Sequence, residues 1–144
     1  MSEPFVSYRS EFYPEITIFV IFDEYEEYDN IKNLFDDLGY AFVAPEHNII
    51  FIDGENLVEN LDIDTLKFIE AHEISHIILN HKGPYSEIEE IEADMGAKYL
   101  LDKFNYPNSI EILISQFENR HGKPFDEYEY DDFLEKNKIP FGNQ

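Results

Sequence analysis

Asp64-Thr65-Leu66-Lys67-Phe68-Ile69-Glu70-Ala71-His72-Glu73-Ile74-Ser75-His76-Ile77-Ile78-Leu79-Asn80 is the stretch whose reading decides the fold. Its apolar residues recur at helical spacing, Asp62 or Asp64 can cap its N-terminus, and Gly83-Pro84 bars its continuation. On such a helix, residues four apart lie about 40° apart around the axis, so His72 and His76 project from one face and can share one metal ion. Glu73 follows His72 by about 100°, which sets its carboxylate beside that metal rather than on it.

The helices on its C-terminal side are marked as clearly. Ser86 and Glu89 form a Ser-x-x-Glu capping box that opens a helix running to about Phe104. Ser109 to Arg120 makes the next, with Ile110, Leu113, Ile114 and Phe117 as its apolar stripe before Gly122 and Pro124. From about residue 124 the chain is acidic and aromatic, and reads as a short docked helix followed by a loose end. On the N-terminal side, after a polar start, Glu15 to Phe22 combines β-branched and aromatic residues, as a strand buried on both faces does. Tyr28 to Leu38 sets Ile31, Leu34, Phe35 and Leu38 at helical spacing and stops at Gly39. Tyr40 to Ala44 and Ile49 to Asp53 flank Pro45-Glu46-His47-Asn48, two strands joined by a short turn. The expected class is therefore α+β, a small sheet of about three strands packed against helices with the 64–80 helix central.

Composition bounds the function. The chain has 144 residues, the length of one common domain, so residues 1–144 are expected to form a single core. Its 32 Asp and Glu against 10 Lys and Arg give a net charge of -22, which repels phosphate backbones and anionic headgroups; direct nucleic-acid binding is not expected. Thirteen Phe and ten Tyr supply the core that such a charge would otherwise deny. Cysteine is absent, so a metal must be held by His and carboxylate. Met1 to Ser10 lacks a basic start followed by an apolar run, and the stretch from Ile16 to Phe22 is too short to span a bilayer; no membrane partner and a cytoplasmic location are expected.

A catalytic zinc site takes three protein ligands and keeps its fourth position for water. The helix after Ser86 offers Glu87, Glu89, Glu90, Glu92 and Asp94. Ala93, Ala97, Leu100, Leu101 and Phe104 define its buried stripe; Glu90 lies within that stripe and Asp94 at its border. Glu89, nearer the opposite edge, remains a rival third ligand, while Glu92, about 200° from Glu90 on the wheel, reads as a surface charge. Asp94 can accept a hydrogen bond from the far nitrogen of the His72 ring; its bland alternative is a surface pair with Lys98. Small Ala93 and Ala97 let the two helices approach closely. His81 comes five residues after His76, one short of the metzincin interval, with Leu79 where that class needs Gly; it reads as a cap or loop contact, not a ligand. His47 is a polar turn residue. His121 and Tyr85, and more distantly Tyr106, are candidates to stabilise an oxyanion.

His-Glu-x-x-His followed by Glu90-Ile91-Glu92-Ala93-Asp94 resembles the gluzincin arrangement, and the runs from Ala71 to His81 and from Glu90 to Leu101 are similar to the ImmA/IrrE family. That resemblance spans Ile16 to about Leu101. It implies a sheet of few strands on a helical zincin core, one zinc ion held by His72, His76 and Glu90, Glu73 as general base, and proteolysis of regulatory proteins. The family's pattern has Gly before the second His and a small apolar residue plus Phe after the Ala-Asp; here those positions hold Ser75 and Met95-Gly96. Where the family continues its Leu-Leu with Met-Pro, this chain reads Leu101-Asp102-Lys103. The expectation is a zinc metallopeptidase that acts on a protein or peptide substrate, Glu73 taking a proton from a metal-activated water, the substrate strand pairing with an edge near Ile49 to Asp53. The alternative is a non-catalytic acidic binding or decoy protein on the same scaffold.

Overall fold

The computed structural model describes residues 5–26, 28–31, 41–44, 47–55, 62–138 and 141. Four strands, β1 (Phe5–Arg9), β2 (Thr17–Ile21), β3 (Ala41–Ala44) and β4 (Ile49–Asp53), form one mixed sheet in the order β1-β2-β4-β3. β2 runs parallel to β4, with Ile18 opposite Ile50 and Val20 opposite Ile52, while β1 and β3 flank them antiparallel. The matched pairs put Ile18, Val20, Ile50 and Ile52 on one face, and all four are buried. The opposite face carries Phe19 and Phe51, half-buried with ring centroids 5.7 Å apart, so β2 is fully covered on one side only.

Two expectations about the sheet are corrected. It has four strands among the described residues rather than three, because Phe5–Arg9 pairs along β2 although Val6, opposite Val20 at the sheet's edge, stays 49% exposed. β4 lies between β2 and β3, so Ile49 to Asp53 is an interior strand and offers no edge. Of the helix expected from Tyr28 to Leu38, Tyr28–Ile31 is a helical turn and the remainder lies outside the described residues, as do Tyr40 and Pro45-Glu46.

Four longer helices follow: α1 (Ile63–Ile78), α2 (Glu87–Lys103), α3 (Pro107–His121) and α4 (Glu127–Lys136), an α+β arrangement. The capping signals operate as read: Asp62 accepts from the Asp64 N–H at 2.9 Å, and Ser86 and Glu89 close a reciprocal capping box. α1 ends five residues before Gly83, in a Schellman turn: Asn80 takes φ 61°, its N–H reaches the Ile77 carbonyl, and the His81 N–H reaches the His76 carbonyl at 2.9 Å. On α3, Leu113 and Phe117 are buried, but Ile114 is 39% exposed and so falls outside the stripe.

From Phe68 to His76 every residue of α1 is buried, on all sides of the helix, which is what a helix enclosed by its neighbours shows. It packs against α2, α3 and β3. α2 comes close to it at Gly96, where an added Cβ would stand 2.5 Å from Ser75 Oγ and 2.6 Å from Phe141 Cζ. Gly96 thus makes room for both Ser75 and the ring of Phe141, with Ala93 and Ala97, buried as expected, on either side. The acidic C-terminal segment docks through α4, capped by Asp126, with Tyr130, Phe133 and Phe141 in the core. Lys98, rather than pairing with Asp94, lies 4.3 Å from the Tyr130 ring centroid. No helix among the described residues is long and apolar enough to cross a membrane.

Candidate metal centre

His72 and His76 stand one turn apart on α1 and face Glu90 in the first turn of α2. Their Nε2 atoms are 3.2 Å apart, and Glu90 Oε1 lies 2.8 Å from His76 Nε2 and 3.6 Å from His72 Nε2. Donors about 2.0–2.1 Å from a tetrahedral ion stand about 3.3 Å from one another, so these three atoms are spaced as three corners of one coordination shell. All three residues are buried, and Glu90 Oε1 sits between the two imidazoles without making a hydrogen bond to either. A buried acceptor so placed suits a cation, and the group could hold a metal ion.

Of the rival carboxylates, Glu89 is exposed and its Oε1 accepts from the Ser86 N–H at 2.9 Å in the capping box. Glu92 Oε1 lies 3.0 Å from His81 Nε2. Glu90 alone of the three joins the histidine pair. Glu73, one residue after His72, is wholly buried on the same helix.

Asp94 is placed behind His72, its Oδ1 2.8 Å from His72 Nδ1. Its other oxygen accepts from Arg120 Nη1 at 2.7 Å and lies 2.6 Å from His121 Nε2. The remaining His121 nitrogen faces Glu87 Oε1 at 2.8 Å, so the structure engages both ring nitrogens of His121 with carboxylates on the far side of Asp94 from Glu90. Tyr85 lies flat on the His76 ring, 3.6 Å between centroids and 4° between planes. Tyr106 donates its hydroxyl to Glu11, and His47 is an exposed turn residue.

These contacts set the charges. Burial opposes protonation of His72, yet the Asp94 and Glu90 carboxylates beside it outweigh burial and raise its pKa to about 9. His76 is pushed down to about 4, chiefly by burial, with only Glu90 pulling the other way. Burial works to raise Asp94 and Glu90, but His121 and His72 beside the first, and His72 and His76 beside the second, hold both well below the usual carboxylate range. With His76 neutral and Glu90 ionised, two of the three donors are already in ligating form, and His72 must release its proton to become the third.

Sequence reasoning missed one contact of consequence. His76 Nδ1 is 2.9 Å from His81 Nδ1, and His81 in turn meets Glu92. The 140° that separates His81 from His76 on a continuing helix does not apply, because the Schellman turn carries His81 back over the ring it follows. The positive φ that turn demands is carried by Asn80, the residue type most tolerant of it after glycine, and that is the signal in the sequence.

No family model matches the chain, and neither a curated protein nor a solved structure matches it.

Proposed function

We propose that the chain is a zinc-dependent metallopeptidase of the gluzincin type, with an ImmA/IrrE-like zincin core, acting on a protein or peptide substrate. The observation that carries this reading is the convergence of His72 Nε2, His76 Nε2 and Glu90 Oε1 at coordination spacing, with Glu73 one residue from the first ligand. Two nitrogens and a carboxylate without thiolate suit zinc, and three protein donors leave one position for water or substrate. A zinc ion bound there supplies a Lewis acid that acidifies water and polarises a peptide carbonyl.

The chain's own residues do the remainder. Asp94 accepts the Nδ1 proton of His72 and so turns the His72 Nε2 lone pair toward Glu90 and His76. Glu73 is the general base: its carboxylate takes a proton from the attacking water and returns it to the leaving amine. The sheet edge nearest α1 is β3, which among the described residues pairs with β4 on one side only, and an extended substrate segment would align along Ala41–Ala44.

The test is incubation of zinc-loaded wild type and Glu73→Gln protein with a proteome-derived peptide mixture, with new termini counted by mass spectrometry. Wild type should generate new termini, and Glu73→Gln should retain zinc yet generate none. Equal cleavage by both, or no cleavage by zinc-replete wild type, refutes the reading.

A further inference from the structure

His72 and His76 are held from behind by different means. His72 meets a carboxylate directly, Asp94 at 2.8 Å. His76 meets a second histidine, His81 at 2.9 Å, and the carboxylate comes one step later, Glu92 Oε1 at 3.0 Å from His81 Nε2. We propose that Glu92 and His81 form a positioning chain that fixes the tautomer and orientation of His76 for metal binding; this rests on the metal reading of the preceding subsection.

The proton order along the chain follows from its open end. A carboxylate oxygen accepts, so the His81 nitrogen that faces Glu92 Oε1 at 3.0 Å donates, and a neutral His81 ring is then the Nε2–H tautomer. His81 Nδ1 is then an acceptor. The His76 nitrogen facing it must therefore donate, which makes His76 the Nδ1–H tautomer and leaves its Nε2 lone pair toward Glu90 Oε1 and His72 Nε2. The reverse order would leave the lone pair of His81 Nε2 against a carboxylate, which is repulsive. One surface carboxylate, 40% exposed, thus selects the ligating form of a ring with no exposure at all, two contacts away.

Two further features hold the chain in register. His81 is tied by its backbone, since its own N–H closes the Schellman turn on the His76 carbonyl at 2.9 Å. Tyr85 covers the His76 ring face to face, so the plane in which Nδ1 can point is also fixed. The two outer supports come from different elements, His81 from the end of α1 and Glu92 from α2, and so couple the helix that bears both histidines to the one that bears Glu90.

Substitution at His81 separates the links. Asparagine can set its amide oxygen where His81 Nδ1 stands, keeping an acceptor for His76 while severing Glu92; alanine removes both. Zinc affinity is measured by competition with a chromophoric chelator for wild type, His81→Ala, His81→Asn and Glu92→Ala, each melted in parallel to establish that it folds. Loss of an outer partner of a ligating histidine costs about 10–100-fold in affinity. His81→Ala should fall in that range, Glu92→Ala should lose severalfold, and His81→Asn should recover most of the alanine loss with no matching change in melting temperature. In zinc-loaded wild type, imidazole nitrogen-15 shifts should report a proton on His76 Nδ1. Zinc bound within twofold by His81→Ala, or His81→Asn as weak as His81→Ala, overturns the chain while leaving the metal reading intact. Wild type that binds no zinc overturns the metal reading and the chain with it.

Discussion

Helix α1 borders two buried acidic neighbourhoods that burial treats alike and donors do not. Toward α2 and α3, Asp94 and Glu90 are met by His72, His76, Arg120 and His121, and both carboxylates are held low in pKa. At the other, Glu70 is just as inaccessible, but its one ion-pair partner among the described residues is Lys67, at 3.2 Å, which is shared with Glu11 at 2.9 Å, and Ser10 adds a weaker hydrogen bond. Glu70 Oε1 has no partner, and burial raises the group to about 7 despite Lys67. The number of donors that converge, rather than the depth of burial, decides which carboxylate stays charged. The first neighbourhood includes the His72-His76-Glu90 group that could hold a metal ion; the second ties the N-terminal segment to α1 through Lys67, whose ammonium stands 5.6–5.7 Å from the ring centroids of Tyr8, Phe12 and Tyr106.

The contrast breaks most visibly at Asp94. Asp94→Ala leaves His72, Arg120 and His121 without the acceptor they share, and removing one partner of a buried charged network costs about 3–5 kcal/mol. Urea denaturation of the metal-free protein measures it, and a loss below about 1 kcal/mol would mean that the donors find other acceptors.

His72 gives the same neighbourhood a pH signature. Its folded pKa, about 9, lies above the ordinary 6.5, so its contribution to metal-free stability is fully present below pH 6.5 and lost as pH rises through 9. The melting temperature of metal-free wild type should fall across that window relative to His72→Gln, by the equivalent of about 2–3 kcal/mol. Parallel pH profiles for the two proteins would contradict it.

Gly96→Ala tests the closeness of α1 and α2 that the donor set needs. Its Cβ would enter the space of Ser75 and Phe141, an overpacking worth about 1–3 kcal/mol. An unchanged denaturation midpoint would show that Phe141 can withdraw without cost.

Glu70 carries a pH signature of the opposite neighbourhood. Its folded pKa, about 7, is raised above the ordinary 4.5, so stability is lost as pH rises from 4.5 through 7. Glu70→Gln escapes that loss. Its melting temperature should gain on wild type from pH 4.5 to 8, by the equivalent of about 2–3 kcal/mol; a constant offset would place the ionised carboxylate in better company than Lys67 and Ser10 give it.

Most of this architecture was legible in the sequence because the signals were local. Asp62, the Ser86–Glu89 box and the apolar periods mark α1 and α2, and the same wheel that placed Glu90 in the stripe set Asp94 behind His72. What was not legible depends on geometry that a wheel or a period does not carry. β1 shows no clear burial alternation, since as an edge strand it buries little, and Val6, though on the same face as Val20, stays 49% exposed. Glu92 lies off the stripe and reads as a surface charge until the turn at Asn80 brings His81 to it. Gly96 reads as a departure from a family pattern, and its reason is a ring forty-five residues away, at Phe141.

Zinc titration of chelator-stripped wild type and Glu90→Ala, in competition with a chromophoric chelator, tests the central claim most directly. The account predicts one zinc per wild-type chain and an affinity at least 100-fold weaker for Glu90→Ala, with one of three protein donors gone. No zinc bound by folded wild type, or equal affinity in the two proteins, would contradict it.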